Sequence, residues 1–174
     1  MLKNKILFVA IAFAMVLSSC GKDETEYEDI RAAQLKIDTK IIQQYIADQK
    51  LTEFKQSNGL FYQIINPGTG TDVLKVKDTL SVFYDGRVLG QPKAFDSVAT
   101  TTPRILILGS LFQGLEQGFP LIRKGGKMRL IIPSTMAYIN RQVGTIPPNS
   151  VLDFNINLVD VKPRIEPNTN NPKP

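Results

Sequence analysis

The sequence predicts an α+β fold: a twisted antiparallel sheet wrapped around one short helix, preceded by an N-terminal helix. Three observations carry this expectation. Between residues 52 and 162, short runs of period-two alternation recur, separated by turns rich in Gly, Pro and Asn. Within that stretch only Phe112, Leu115 and Phe119 repeat at helical spacing, and Pro120 disfavours continuation. Ahead of it, Glu28 to Lys50 contains no Pro or Gly and keeps a helical apolar period. A sheet with one face on a single short helix is a layered α+β arrangement.

In chain order, residues 1–19 read as a targeting segment. Lys3 and Lys5 make a positive start, and Ile6 to Leu17 is an apolar run too short to span a membrane comfortably. Leu17-Ser18-Ser19-Cys20 resembles a bacterial lipobox, which implies cleavage before Cys20 and its lipidation. An uncleaved anchor and an ordinary secretory signal are the alternatives. Cys20 is the single cysteine of the chain, which favours the lipoprotein reading. The implied place is the outer membrane. Lys22-Asp23-Glu24 resembles surface-export signals of some bacterial lineages, so cell-surface and periplasm-facing attachment both stay open.

Residues 20–29 are polar and acidic and read as a tether. The helix expected over 30–51 carries Ile30, Ile37, Ile41 and Tyr45 on one stripe, with Ile42 and Ile46 beside it. It could pack on the following domain, act as a spacer or dimerise. The domain proper is placed at 52–162, with Asn58-Gly59 as an early turn. Strands are expected at Leu60 to Ile65, Thr79 to Tyr84, Arg104 to Leu108, Lys127 to Ile132 and Leu152 to Leu158. In the last, Leu152, Phe154, Ile156 and Leu158 share a face opposite Asp153, Asn155 and Asn157, the pattern of a half-buried strand. Arg104 to Leu108 is mostly apolar on both faces. The tail over 163–174 is rich in Pro and Asn and reads as disordered.

Composition excludes several chemistries. With no histidine and one cysteine, the chain cannot form a Ser-His-Asp triad, a Cys-His pair, a His-ligated zinc site, a CxxC redox site or an internal disulfide. No loop spaces Asp and Asn as a hard cation would need. Removing Lys3 and Lys5 lowers the formal charge from +5 to +3, and no basic run with interleaved aromatics points to nucleic acid.

The motifs of 52–162, taken in order, resemble the FKBP-type peptidyl-prolyl isomerases, the macrolide-binding immunophilins. They are Val82-Phe83-Tyr84-Asp85-Gly86, Phe95-Asp96-Ser97, Leu108-Gly109, Gly114-Leu115-Glu116-Gln117-Gly118 and Gly125-Gly126-Lys127. Ile132-Pro133-Ser134, Ala137-Tyr138 and Ile146-Pro147-Pro148 through Phe154 complete the series. The resemblance implies an FKBP-like fold and isomerisation of X-Pro bonds in exported proteins, with a macrolide as a candidate inhibitor and no metal or cofactor. It implies a catalytic set of Asp96, Tyr138 and Phe112, the last through its backbone N–H. It implies a substrate pocket of Tyr84, Phe95, Leu111, Leu115, Ile146 and Phe154. Phe95, Leu115 and Phe154 would contact the proline ring, and Asp96 would set cleft polarity without acting as a base.

Each residue also has a plainer structural reading. Leu115 and Phe154 would look the same as core, Tyr84 could satisfy its hydroxyl internally, Tyr138 could be a structural loop tyrosine, and Asp96 could cap a turn. The chain departs from the family at three places. Leu115 stands where a tryptophan floor is usual, Ile139 where glycine usually follows the loop tyrosine, and an early aromatic of the central strand is replaced near Arg104. Leucine leaves a smaller apolar floor than an indole. A β-branched Ile139 resists positive φ, so a locally different loop and reduced activity are expected. A non-catalytic module or chaperone binding Pro-containing or apolar segments is the alternative function; a structural envelope lipoprotein is a third.

Overall fold

The computed structural model describes residues 22–70 (side chains from Thr25), 73–98 and 101–164. The expected signal peptide over 1–19, lipidation at Cys20 and the tail beyond Arg164 lie outside the described residues.

Helix α1 spans Lys22–Asp48. The acidic segment expected as a tether therefore forms the first two turns of this helix. Lys22–Asp48 contains no Gly or Pro to interrupt it. Packing divides the expected stripe and buries the residues named beside it. Ile42 is fully buried, and Tyr45 and Ile46 are partly buried, whereas Tyr27, Ile30, Ile37 and Ile41 face solvent.

Seven strands follow: β1 Lys55–Ser57, β2 Leu60–Asn66, β3 Thr79–Val88, β4 Ala94–Val98, β5 Arg104–Ile107, β6 Lys127–Ile132 and β7 Leu152–Lys162. All pairings are antiparallel, in the order β1-β2-β6-β7-β3-β4. β5 pairs with Thr79–Val82 of β3 and β4 with Tyr84–Arg87, so two short strands share one edge of β3 end to end. β1 and β2 turn at Asn58-Gly59, both with positive φ, as a tight hairpin of matching twist demands. β1 and β4 were not expected as strands: one is three residues long, and the other reads as a motif rather than an alternating run. β5 was expected to be apolar on both faces. It is an edge strand, and Ile105 and Ile107 are half-exposed or more.

Helix α2, Gln113–Gly118, and a 3-10 turn at Phe119–Leu121 cross the concave face. Gly114 and Gly118 let them approach closely. A Cβ at either position would come within 2.2 Å of Ile132 or 2.4 Å of Leu130. The main core lies between this helix and the inward residues Leu80, Val82, Met128, Leu130, Leu152, Ile156 and Leu158.

The opposite face is not left to water. Ile42 joins Phe61, Ile131 and Val151 in a second, smaller core, flanked by Tyr45, Ile46 and Phe54. Full burial of a side chain such as Ile42 contributes about 1.5–3 kcal/mol. Under this cover Asp153, expected on the solvent face of β7, is buried and bound twice by Arg129, at 2.9 and 2.8 Å. The Arg129 guanidinium lies over the rings of Phe54 and Tyr45, at 5.7 and 6.0 Å. The covered faces explain why the last strand is buried on both sides over part of its length.

Candidate functional site

A cavity of about 80 Å³ opens between α2 and the concave face of the sheet, room for one apolar side chain rather than a large ligand. Phe154 is its centre. The rings of Phe95, Tyr84 and Phe112 stand 5.7, 6.0 and 6.0 Å from it, tilted or edge-on, the offsets that aromatic quadrupoles favour. Phe112 in turn lies 5.5 Å from Tyr138. Leu115, from the second turn-face of α2, closes the floor and is almost fully buried.

The structure brings Tyr84, Phe95, Asp96, Phe112, Leu115, Tyr138 and Phe154 together around this cavity. Leu111 and Ile146 do not line it. Leu111 packs against the main core beside it, and Ile146 is buried within that core. Val82, Leu106, Phe119 and Ile156 line it without having been expected there. They sit at inward positions of strands or of the helix end, where sequence alone does not separate pocket wall from core.

Asp96 is held from two sides. The Tyr84 hydroxyl donates to Oδ2 at 2.5 Å, and Arg104 donates to both carboxylate oxygens, at 2.8 and 3.2 Å. The Arg104 guanidinium also lies 5.4 Å from the Tyr84 ring centre. Arg104 is the functional neighbour that sequence reading missed. Its position at the replaced aromatic of β5 was noticed, but not that its side chain would reach across to β4. The Arg104–Asp96 pair is about two-fifths exposed, so its value is organisational more than energetic.

The phenols are kept protonated. Burial, then the bond to Asp96, raises Tyr84 well above the ordinary value. Burial, then the nearby Asp96 charge, raises Tyr138. Among the described residues the Tyr138 hydroxyl and the Phe112 N–H have no hydrogen-bond partner, and both flank the cavity. The Phe112 segment is shaped by Glu116, whose carboxylate accepts from the N–H groups of Gly109 and Leu111 at 2.7–2.9 Å.

The loop with Tyr138 keeps the conformation that glycine would favour. Ile139 has φ of 57° despite its branched Cβ. The locally different backbone expected from Ile139 is therefore not what forms at this residue. The Ile139 N–H bonds to the Ser134 carbonyl at 2.8 Å and its own carbonyl accepts from Asn149 at 2.9 Å, which hold the turn in place.

Residues 70–159 match the family model described as FKBP-type peptidyl-prolyl cis-trans isomerase. The chain is 38% identical over 107 residues to the FKBP-type peptidyl-prolyl cis-trans isomerase FkpA of Escherichia coli K12, covering 62% of this chain and 39% of that protein. It is also 38% identical over 111 residues to a probable FKBP-type isomerase of Haemophilus influenzae, covering 63% of this chain and 45% of that one. The chain thus spans less than half the length of these curated relatives. The crystal structure of Escherichia coli FkpA superposes with a TM-score of 0.64 at 30% identity, over 92% of this chain and 82% of that one. A peptidyl-prolyl isomerase structure from Pseudomonas syringae gives 0.61 at 30% identity, over 76% and 96%. An aromatic cleft on a twisted sheet, two unpartnered donors at its rim and a family match over residues 70–159, half of the chain, lead to one assignment: the chain belongs to the FKBP-type peptidyl-prolyl cis-trans isomerase family.

Proposed function

We propose that this chain is a peptidyl-prolyl cis-trans isomerase that assists exported proteins, held at the membrane through a lipidated Cys20. The observation that carries the reading is the placing of two free donors, the Tyr138 hydroxyl and the Phe112 N–H, beside one small aromatic cavity.

Isomerisation breaks no covalent bond. Its barrier of about 18–20 kcal/mol is the loss of amide resonance on twisting. A site that binds the twisted amide better than the planar one lowers that barrier. Phe95, Leu115 and Phe154 would hold the proline ring, while Tyr138 and Phe112 would donate to substrate carbonyls. A twisted amide has less carbonyl–nitrogen conjugation and therefore less charge separation, so a low-polarity wall favours it over the planar form, while the donors hold the substrate backbone in place. Asp96, already bonded to Tyr84 and Arg104, would orient the phenol and set the local field rather than take a proton. No metal, nucleophile or cofactor enters.

Two or three acyl chains on Cys20 would hold the chain firmly at a membrane, at about 0.8 kcal/mol per buried methylene. The proposed location is the outer membrane, facing the periplasm or the outside. X-Pro segments of exported proteins are the proposed substrates, and a macrolide is a candidate inhibitor. A second reading, a non-catalytic module that binds Pro-containing or apolar segments, is favoured by Leu115, which offers a smaller floor than an indole.

The test uses residues 21–174 on an X-Pro peptide, beside a Tyr138→Phe, Asp96→Ala double variant. The native chain is expected to accelerate isomerisation and the double variant to lose most of that acceleration. Equal rates at the uncatalysed level would remove the enzyme reading. Macrolide binding without turnover would support the binding module.

A further inference from the structure

Helix α1 has no part in the isomerase reading, yet its polar side chains end on the two segments that carry the donors. Asp38 is completely buried. A carboxylate without water needs donors on its oxygens, and Asp38 finds them mainly across 96 residues of chain. Its Oδ2 accepts from the Ser134 N–H at 2.8 Å and from the Ser134 hydroxyl at 2.7 Å, while Oδ1 accepts from Gln34 at 2.8 Å.

Ser134 passes this restraint on. Its carbonyl accepts from Ala137 at 3.0 Å and from Ile139 at 2.8 Å, the two neighbours of Tyr138. Ile139 stands at positive φ, which a β-branched residue keeps only where its surroundings hold it. Two helical turns earlier, Arg31 donates to the Thr135 carbonyl at 3.3 Å and to Oε1 of Gln113, next in sequence to Phe112, at 2.7 Å. One face of α1 thus fastens the tyrosine loop and the start of α2 together.

We propose that Asp38 is a positioning residue for Tyr138, which makes helix α1 part of the working site. The effect on rate rests on the isomerase reading; the effect on Tyr138 does not. A helix needed only for packing would be served by an apolar residue here, as it is by Ile42 one turn later. Asp38 instead fixes the one residue whose carbonyl brackets Tyr138.

The experiment compares residues 21–174 with Asp38→Ala, using tyrosine-ring-labelled protein and NMR, with the Tyr138 signal assigned through Tyr138→Phe. The Tyr138 signal is expected to shift or broaden while that of Tyr84 holds. On an X-Pro peptide, Asp38→Ala should lose roughly tenfold or more in kcat with little change in KM, as misplacement of a reacting contact does. Adding Ile139→Gly, which adopts the turn without being held, should recover most of that loss. An unmoved Tyr138 signal in folded Asp38→Ala overturns the proposal, as does a rate loss that Ile139→Gly leaves untouched. Should Asp38→Ala not fold, Asp38→Leu keeps the volume without an acceptor, and an unmoved Tyr138 signal there overturns it equally. A native chain without turnover defeats the isomerase reading instead, and the ring signal alone then decides the positioning.

Discussion

Gly86 on β3 and Phe154 on β7 are register partners, and the ring of Phe154 occupies the space where a side chain at 86 would stand. A Cβ there would lie 2.5 Å from Phe154 Cε1, 2.8 Å from its Cζ and 3.0 Å from Phe95 Cζ. The absent side chain is what lets two pocket rings meet edge-on over the sheet. In Gly86→Ala the Phe154 ring must move, and its only slack is the cavity. The variant is expected to lose about 1–3 kcal/mol by overpacking. On the proposed function, isomerase activity should fall by roughly tenfold or more, because the ring proposed to receive the proline is displaced. Thermal unfolding and a peptide assay read the two effects separately.

Arg129 and Asp153 form a buried pair, with side chains 18% and 4% exposed. The bond to Asp153 raises the guanidinium's affinity for its proton further, so Arg129 stays charged. Asp153→Ala would leave a guanidinium under α1 without its anion. The expected loss is about 3–5 kcal/mol. A double replacement, Arg129→Met with Asp153→Leu, should recover most of it. Urea unfolding of the two variants checks this.

Ile139→Gly is expected to stabilise the fold. Left-handed backbone costs a residue with a Cβ roughly 1–2 kcal/mol, and glycine avoids that cost while giving back part of it in unfolded-chain entropy. A net gain of about 0.5–1 kcal/mol, seen as a higher unfolding midpoint in urea, is the expected result. A lower midpoint would mean that the isoleucine side chain contributes packing that outweighs the backbone cost.

The pH dependence follows from the two phenols. Folding raises the values of Tyr84 and Tyr138 above the ordinary 10.0. A raised folded value means that their contribution is complete below the unfolded value and shrinks as pH rises beyond it. Stability should therefore fall above about pH 10, where unfolded tyrosines ionise, and fall less steeply in Tyr84→Phe. Because the chain has no histidine, the isomerase rate should be level from about pH 6 to about 9, with Tyr138 still a donor. An inflection near pH 7 in a peptide assay would contradict this.

The positions of five of the strands and of α2 were legible because each signal is local. Period-two alternation marks Leu152 to Leu158, Pro120 ends the helix begun at Phe112, and Asn58-Gly59 can only turn. Phe95, Leu115, Tyr138 and Phe154 were legible as cavity-lining positions through their motifs. The wall residues Val82 and Ile156 were not, since an inward strand position looks the same whether it meets core or cavity. Arg104 was visible as a departure from the family pattern, but its reach to Asp96 depends on β4 and β5 lying along the same edge of β3.

The sequence by itself determined most of the elements, the Asn58-Gly59 turn and the family, though not β1, β4 or the start of α1, because propensity, period and short motifs are properties of neighbouring residues. Only the tertiary structure decided which stripe of α1 is buried, that Asp153 lies beneath it, and that Asp38 grips Ser134. A helical period states that a face exists, not what covers it. α1 carries two such faces, and the choice between them is made by shape and by partners up to a hundred residues away, where a buried carboxylate finds donors and Ile42 finds a gap among Phe61, Ile131 and Val151.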